Sequence, residues 1–342
     1  MNFGSQLWSA VANPIYRVRH RFGLLVSKPR SKAPSPLRFA GAVQILIVTL
    51  VAISLVSCSR TRNQNISTPS ASHEVTDEAG RRVVLPLRID RIVSLAPNLT
   101  EIVYAVGAGD RLVGRTKYCD YPAEAKQVAE VGDTMTPSVE RIIALKPQIV
   151  LVSTASQLEA FTRQLGEQGV AVYITRPESF DDVFRSIQDL GDLFGDHEQA
   201  QALVSQLRQR TEAVGNAVSK SPPVRVFYQV SGEPLYTIGH EAYLTDLIKR
   251  AGGVSVTADV PTAFPRFSDE AAVAANPDAI ILPTGGSMGE ANASVAASLK
   301  RSPAVLHNRV YKINDDHLSR PGPRLVDGLE EMAHALHPEA FK

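Results

Sequence analysis

Gly285-Gly286-Ser287-Met288-Gly289 satisfies G-x-S-x-G, and it follows an apolar strand-like run and precedes a helix-like run over 291–299. That is the setting of a nucleophile elbow in an α/β hydrolase, with Asp316 and His334 following in the order a Ser-Asp-His triad needs. The chemistry would be acyl transfer through Ser287. Against it, little chain remains after Ser287 and no HGGG-type oxyanion loop is present. His334 and His337, three apart, have a possible metal-ligand spacing. They sit at the end of the last helix beside Pro338 and read as exposed polar positions, with no His-rich loop to accompany them. Gly107-Ala108-Gly109 lacks the third glycine and the later acid of a dinucleotide site. Glu140 and Glu270 each fall in the first turn of an expected helix, where the helix dipole alone favours an acid. No catalytic residue, resident metal or cofactor is expected.

The elements that must position these residues occur twice. Residues 91–152 read as strand, helix, strand, loop, helix, strand. A β-branched run over 91–95 stops at Pro97, and Asn98 and Thr100 offer side-chain oxygens to the free N–H groups of a helix ending near Gly107 and Gly109. Pro137-Ser138 opens a second helix with Ile142, Ile143 and Leu145 as its apolar face, and 149–152 is the next strand. Leu99-Thr100-Glu101-Ile102 reaches Gly107 seven residues after its threonine, and Leu244-Thr245-Asp246-Leu247 reaches Gly252 at the same interval. Glu140 is followed seven residues later by Pro147 and an apolar strand, as Glu270 is by Pro277 and 279–282. The agreement predicts two halves of related topology, and alternating strands and helices predict parallel sheets with helices packed on them.

The 342 residues, 44% hydrophobic, suffice for a sizeable core, and a formal charge of +1 leaves no electrostatic footprint for nucleic acid. Residues 1–38 are basic, without an acid; residues 39–57 are uncharged and mostly apolar, almost long enough to span a bilayer. Positive charge before the run keeps that end inside and predicts export of the remainder. Leu55-Val56-Ser57-Cys58 resembles the lipobox of bacterial lipoproteins, which implies lipid on Cys58; an uncleaved N-terminal helix is the alternative. With Cys58 lipidated, Cys119 has no partner and no disulfide holds the fold. Residues 59–72 are polar and read as a flexible tether. An opening hairpin is expected over 73–87 with its turn at 77–80, and a helix over 157–167. A helical pattern runs over 179–220, interrupted around 191–195. Asp196 is expected to cap a strut of about 24 residues, about 36 Å long, before the strand over 224–230.

The segments 91–114 (RIVSLAPNLTEIVYAVGAGDRLVG), 117–122 (KYCDYP), 138–152 (SVERIIALKPQIVLV) and 320–330 (RPGPRLVDGLE) together resemble the substrate-binding proteins of the vitamin B12, haem and ferric-siderophore ABC importers, above all the cobalamin-binding branch. The resemblance covers roughly residues 75–336. It implies an α/β fold of two lobes, each a mainly parallel sheet with flanking helices, joined by one long helix that limits opening to small angles. The boundaries expected are 1–58 for the basic region and signal or anchor, 59–74 for the tether, 75–178 for the N-terminal lobe, 179–222 for the linking helix and 223–342 for the C-terminal lobe.

The resemblance also implies roles. Glu140 and Glu270 match acids that dock on arginines of the membrane permease, a sensible arrangement for a two-fold symmetric partner. The cargo is expected between the lobes, bordered by Pro97, Asn98, Tyr118, Asp133, Thr134, Met135 and Ser153 from the first and by Tyr236, Phe264, Arg266, Asp316 and Arg320 from the second. Tyr118 would lie against a macrocycle face. Arg320 and Asp316 would bond the cargo's amide groups, or pair with each other as a structural bridge. Tryptophans that cobalamin-binding relatives place in the cleft fall here near Thr134, Ser153 and Phe264, and the single tryptophan, Trp8, precedes the export segment. A haem reader would use Tyr118 as an axial ligand; a triscatecholate reader would need cations such as Arg266 and Arg320. The expected protein is therefore a monomeric, lipid-anchored receptor outside the cytoplasmic membrane that passes a cobalt corrinoid, or else haem or a ferric siderophore, to ABC permease and ATPase subunits.

Overall fold

The computed structural model describes residues 72–134, 136–153, 159–286 and 293–342. Cys58, Met135 and Ser287, with the basic region, the apolar run and the tether, lie outside the described residues. The opening hairpin is present: β1 (Ser72–Thr76) pairs antiparallel with β2 (Arg82–Pro86). Asp77 makes its turn, accepting from the N–H groups of Ala79 and Arg81 (3.1 and 2.8 Å).

The first sheet contains β3 (Ile92–Ser94), β4 (Leu112–Arg115), β5 (Ile149–Val152) and β6 (Ala171–Ile174) in the spatial order β4-β3-β5-β6, all parallel. Its connections carry α1 (Pro97–Ala105), α2 (Val139–Ala144) and α3 (Glu159–Glu167). Two helices follow, α4 (Phe180–Phe194) and α5 (His197–Val218). The second sheet then repeats the first. It contains β7 (Val224–Tyr228), β10 (Gly253–Ser255), β11 (Ala279–Thr284) and β12 (Val310–Asn314) in the order β10-β7-β11-β12, again all parallel. The small hairpin β8 (Ser231–Gly232) and β9 (Leu235–Tyr236) lies between β7 and α6 (Tyr243–Arg250); α7 (Asp269–Ala275), α8 (Pro303–Leu306), α9 (Asp315–Leu318) and α10 (Leu325–Leu336) complete the chain.

The strands are continuous apolar runs because both faces of each sheet are covered. Along β5, Ile149 and Leu151 enter one hydrophobic cluster, and Val150 and Val152 enter another. Along β11, Ala279 and Ile281 share the cluster of Ile149, while Ile280 and Leu282 face a third. Period-two alternation thus sorts one strand's side chains between an inner core common to both halves and an outer core private to one. The inner core takes Ile102 and Val103 from α1, Phe180 and Leu190 from α4, Leu207 and Val214 from α5, Leu247 from α6 and Leu329 from α10.

The repeat spacing has a physical cause in the glycines that end α1 and α6. Gly107 (φ +91°) and Gly252 (φ +82°) both adopt the left-handed conformation that a side chain with Cβ resists. The helical run over 179–220 breaks at Gly195, also left-handed (φ +78°), whereas Gly191 lies inside α4, where a Cβ would collide with that of Ala200. α4 starts with a capping box, Ser179 and Asp182 bonding each other's backbone N–H. α5 has 22 residues, about 33 Å of helix. The expected capping by Asp196 is corrected: the residue stands at the N-cap but its carboxylate pairs with Arg111 at 2.8 Å.

Candidate functional site

The expected cargo-facing residues follow the C-terminal ends of parallel strands, where open α/β sheets bind ligands. Pro97 and Asn98 come after β3, Tyr118 after β4 and Ser153 after β5; Tyr236 comes after β7, Phe264 and Arg266 after β10, and Asp316 after β12. An open groove of about 610 Å³ lies elsewhere, lined by Arg82, Val84, Gln148, Thr162 and Val170 among others, at the strand starts and without any of those residues.

The residues form two sets. In the first, Pro97 occupies the opening position of α1, which needs no N–H. Asn98 is corrected from a capping role: it is inside the helix, and its Nδ2 donates to Ser153 Oγ and to the carbonyl of Pro321, both at 3.2 Å. Thr100 turns back instead to Ser94 Oγ (2.9 Å). Thr134 Oγ1 lies 3.2 Å from Thr116 Oγ1, which also lies 3.2 Å from Cys119 Sγ. Cys119 is buried, and burial pushes its thiol pKa up. Lys117 bonds Asp133 (2.6 Å) and lies over the Tyr118 ring at 4.7 Å; those two neighbours hold its ammonium above the ordinary lysine value. In the second set, Tyr236 bridges Arg266 across a short antiparallel contact. Arg266 is exposed, and Phe264 is half-buried against the inner core.

Arg320 is not turned to solvent. Its side chain is 4% exposed; Nη1 donates to Glu101 (3.0 Å) and Asp120 (3.1 Å), and Nη2 pairs with Asp316 (2.8 Å) and lies 3.5 Å from the Tyr118 carbonyl. Of the two readings open for Arg320 and Asp316, the pairing between them is the one seen, within a larger cluster. Arg324 completes it, donating Nε to Glu101 Oε2 (2.9 Å) and Nη2 to Oε1 (2.5 Å) while its guanidinium lies 4.1 Å from the Tyr121 ring centroid. Glu101, Asp120, Tyr121 and Arg324 were not singled out from sequence. The repeat that aligns Glu101 with Asp246, and the closing motif that contains Arg324, were the available signals.

Glu140 and Glu270 are exposed and equivalent. Ser138 caps α2 by accepting from Arg141 N (3.3 Å), and Ser268 caps α7 by accepting from Ala271 N (3.1 Å). His337 is a correction: expected at the surface, it is 2% exposed, with Nε2 3.0 Å from the Gly252 carbonyl. A Cβ on Gly252 would come within 2.6 Å of that nitrogen, so the glycine makes the space the ring fills. His334 is exposed and stacks on Phe341, so the two rings do not form a ligand pair. Among the described residues no group of three or more His, Cys, Asp or Glu is placed to hold a metal ion.

Two topologically matching α/β halves on one inner core, with acids displayed alike on each, define a two-lobed solute-binding protein. The chain belongs to the periplasmic binding protein family, which it matches over residues 92–316. It is 34% identical over 310 residues to an uncharacterized ABC transporter substrate-binding lipoprotein, YvrC, of Bacillus subtilis, covering 86% of this chain and 96% of that one. The vitamin B12-binding protein of Vibrio cholerae is 30% identical over 73% of this chain and 90% of its own. The crystal structure of the periplasmic vitamin B12-binding protein of Vibrio cholerae superposes with TM-score 0.65 at 29% identity, covering 75% of this chain and all of that one. A periplasmic heme-binding protein from Roseiflexus gives 0.65 at 26% identity, covering 74% and 99%. The family is one of transport components, not enzymes, so the serine-hydrolase reading of Ser287 is set aside.

Proposed function

We propose that this chain, a substrate-binding protein of the ABC-importer type, captures a corrinoid between its lobes outside the cytoplasmic membrane and delivers it to a permease. The observation that carries the choice of cargo is the state of Arg320, one of the two cations a triscatecholate reader would use; the other, Arg266, is exposed. Arg320 and Arg324 are engaged by Glu101, Asp120 and Asp316, a cluster with one more negative than positive charge. A reader of anionic triscatecholates needs guanidiniums turned to its cargo; a corrinoid rimmed with neutral amides does not. Likeness to vitamin B12-binding proteins supports the same reading. Tyr118 would lie against the ring, with Pro97, Asn98, Thr134, Met135 and Ser153 beside it and Tyr236, Phe264 and Arg266 opposite. Likeness to a heme-binding protein makes haem the second reading, with Tyr118 as the iron ligand.

Glu140 and Glu270 would engage cationic residues of the permease, supported by their exposure at equivalent places in the repeat. Cys58 would carry the lipid that holds the receptor at the membrane, as the YvrC lipoprotein relative suggests. Titrating the protein with cyanocobalamin, haemin and a ferric siderophore by absorbance and calorimetry tests the cargo. Cyanocobalamin alone should bind; binding of haemin in its place transfers the function to haem. Glu140→Ala with Glu270→Ala should abolish uptake by cells and leave affinity intact, whereas lost affinity would overturn the docking role.

A further inference from the structure

The geometry points to Arg320 and Arg324 of the second half, aimed by Glu101 of the first, as positioning residues that hold the Tyr118–Tyr121 loop of the first half. This rests on the reading that Tyr118 faces the cargo. On its own side the loop is fastened near its start: Cys119 is buried, its N bonds the Thr116 carbonyl (3.1 Å) and its Sγ lies 3.2 Å from Thr116 Oγ1, Lys117 N bonds the Gly132 carbonyl (3.0 Å), and Lys117 pairs with Asp133. On its far side two guanidiniums from the end of the chain take hold of three of its four residues. Arg320 bonds the Asp120 carboxylate and approaches the Tyr118 carbonyl, and Arg324 lies against the Tyr121 ring. Stacking on a ring and bidentate bonding to a carboxylate are the two things a planar guanidinium does at once and an ammonium does not.

Both arginines are in turn aimed by one carboxylate. Glu101, its side chain 2% exposed, accepts two bonds from Arg324 and one from Arg320. Such a group keeps its partners in place, because an unpaired charge in that setting is costly. The turn that carries the arginines is itself seated on α1, the Pro321 carbonyl accepting from Asn98 and Gly322 lying against the Asn98 backbone. Arg320 and Arg324 therefore act on cargo through Tyr118, and the fit of the crevice depends on how the second half grips this loop.

The test uses the full chain with cyanocobalamin and haemin as probes. Arg324→Lys keeps the charge and loses the fork and the stacking; Glu101→Gln keeps the shape and loses the aim. Each should weaken the binding probe about tenfold or more through faster dissociation and should speed amide exchange at residues 117–121 at least tenfold, and in Arg324→Lys the strands of both sheets should exchange as before. Tyr118→Ala should also weaken binding, and adding Arg324→Lys to it should cost little more, since the lysine acts only through the ring already removed; a merely structural role would make the two losses add. Wild-type dissociation rates in Arg324→Lys, or unchanged exchange in the loop, would overturn the inference. If neither probe binds the wild-type chain, the cargo reading fails, and the exchange measurement alone decides whether the arginines hold the loop.

Discussion

Glu101 and Asp246 occupy the same position in the two halves, on α1 and on α6, and both reach out of their own half. Glu101 meets Arg320 and Arg324, while Asp246 accepts from Phe180 N (3.2 Å) and from Arg250 (2.9 Å), which also pairs with Asp181. The partners too are equivalent in place, since α4 follows the first sheet as α9 and α10 follow the second. The difference is in burial and in the number of cations. Asp246 is 29% exposed and has one guanidinium, on its own helix, whereas Glu101 is sealed between two from the far half. A duplicated contact has thus become a seam fastening at one end and a loop holder at the other.

Three measurements would break or sharpen that contrast. The largest effect is expected from the inner acids. Glu101→Gln should cost about 3–5 kcal/mol in urea unfolding because it takes the paired carboxylate from the inward-turned Arg324 and leaves Arg320 to Asp120 and Asp316 alone. Asp246→Asn should cost only about 1 kcal/mol, an amide oxygen still accepting from Phe180 N. Equal losses would mean the two contacts have not diverged.

A middle-sized effect should appear in the pH dependence of Tm, with opposite signs at two acids. Burial pushes the Glu78 carboxyl above its ordinary value, with Asp189 and Asp182 adding to the shift and Ser186 and Arg176 N opposing it. Its protonated form is favoured by folding, so that stability is full at low pH and is lost as pH rises through the raised value. Burial also acts to raise Asp181, but Arg250 and Arg208 outweigh it and hold its carboxyl below the ordinary range. Its contribution is present above the unfolded value and is lost as pH falls through the lowered one. Glu78→Gln should remove the decline on the rising side, and Asp181→Asn the decline on the acid side. The smallest effect belongs to the outer acids: Glu140→Ala and Glu270→Ala should each shift stability by no more than about 0.5 kcal/mol, because the serine caps of their helices remain.

What could be read from sequence was what lies close along the chain. Four consecutive apolar residues at 149–152 announced a strand, and the intervals from Thr100 to Gly107 and from Thr245 to Gly252 exposed the duplication because both glycines must turn left-handed. The charged cluster was not legible, because the partners of Glu101 lie 219 and 223 residues away. A first-turn or mid-helix acid looks the same whether it meets water or a distant arginine. His337 was misread for the same reason: its burial depends on Gly252, 85 residues earlier. Asn98 was misread for a different one. Proline in the first helical position left the asparagine inside the helix, where its amide bonds the neighbouring loops.

The inner core that receives Ile102 and Val103 from one half and Leu247 and Ile248 from the other leaves the chain no natural place to be cut. Severed at either end of α5, each piece would keep one dry side of its sheet and wet the other, so neither is a unit of folding. Melting should be a single cooperative event.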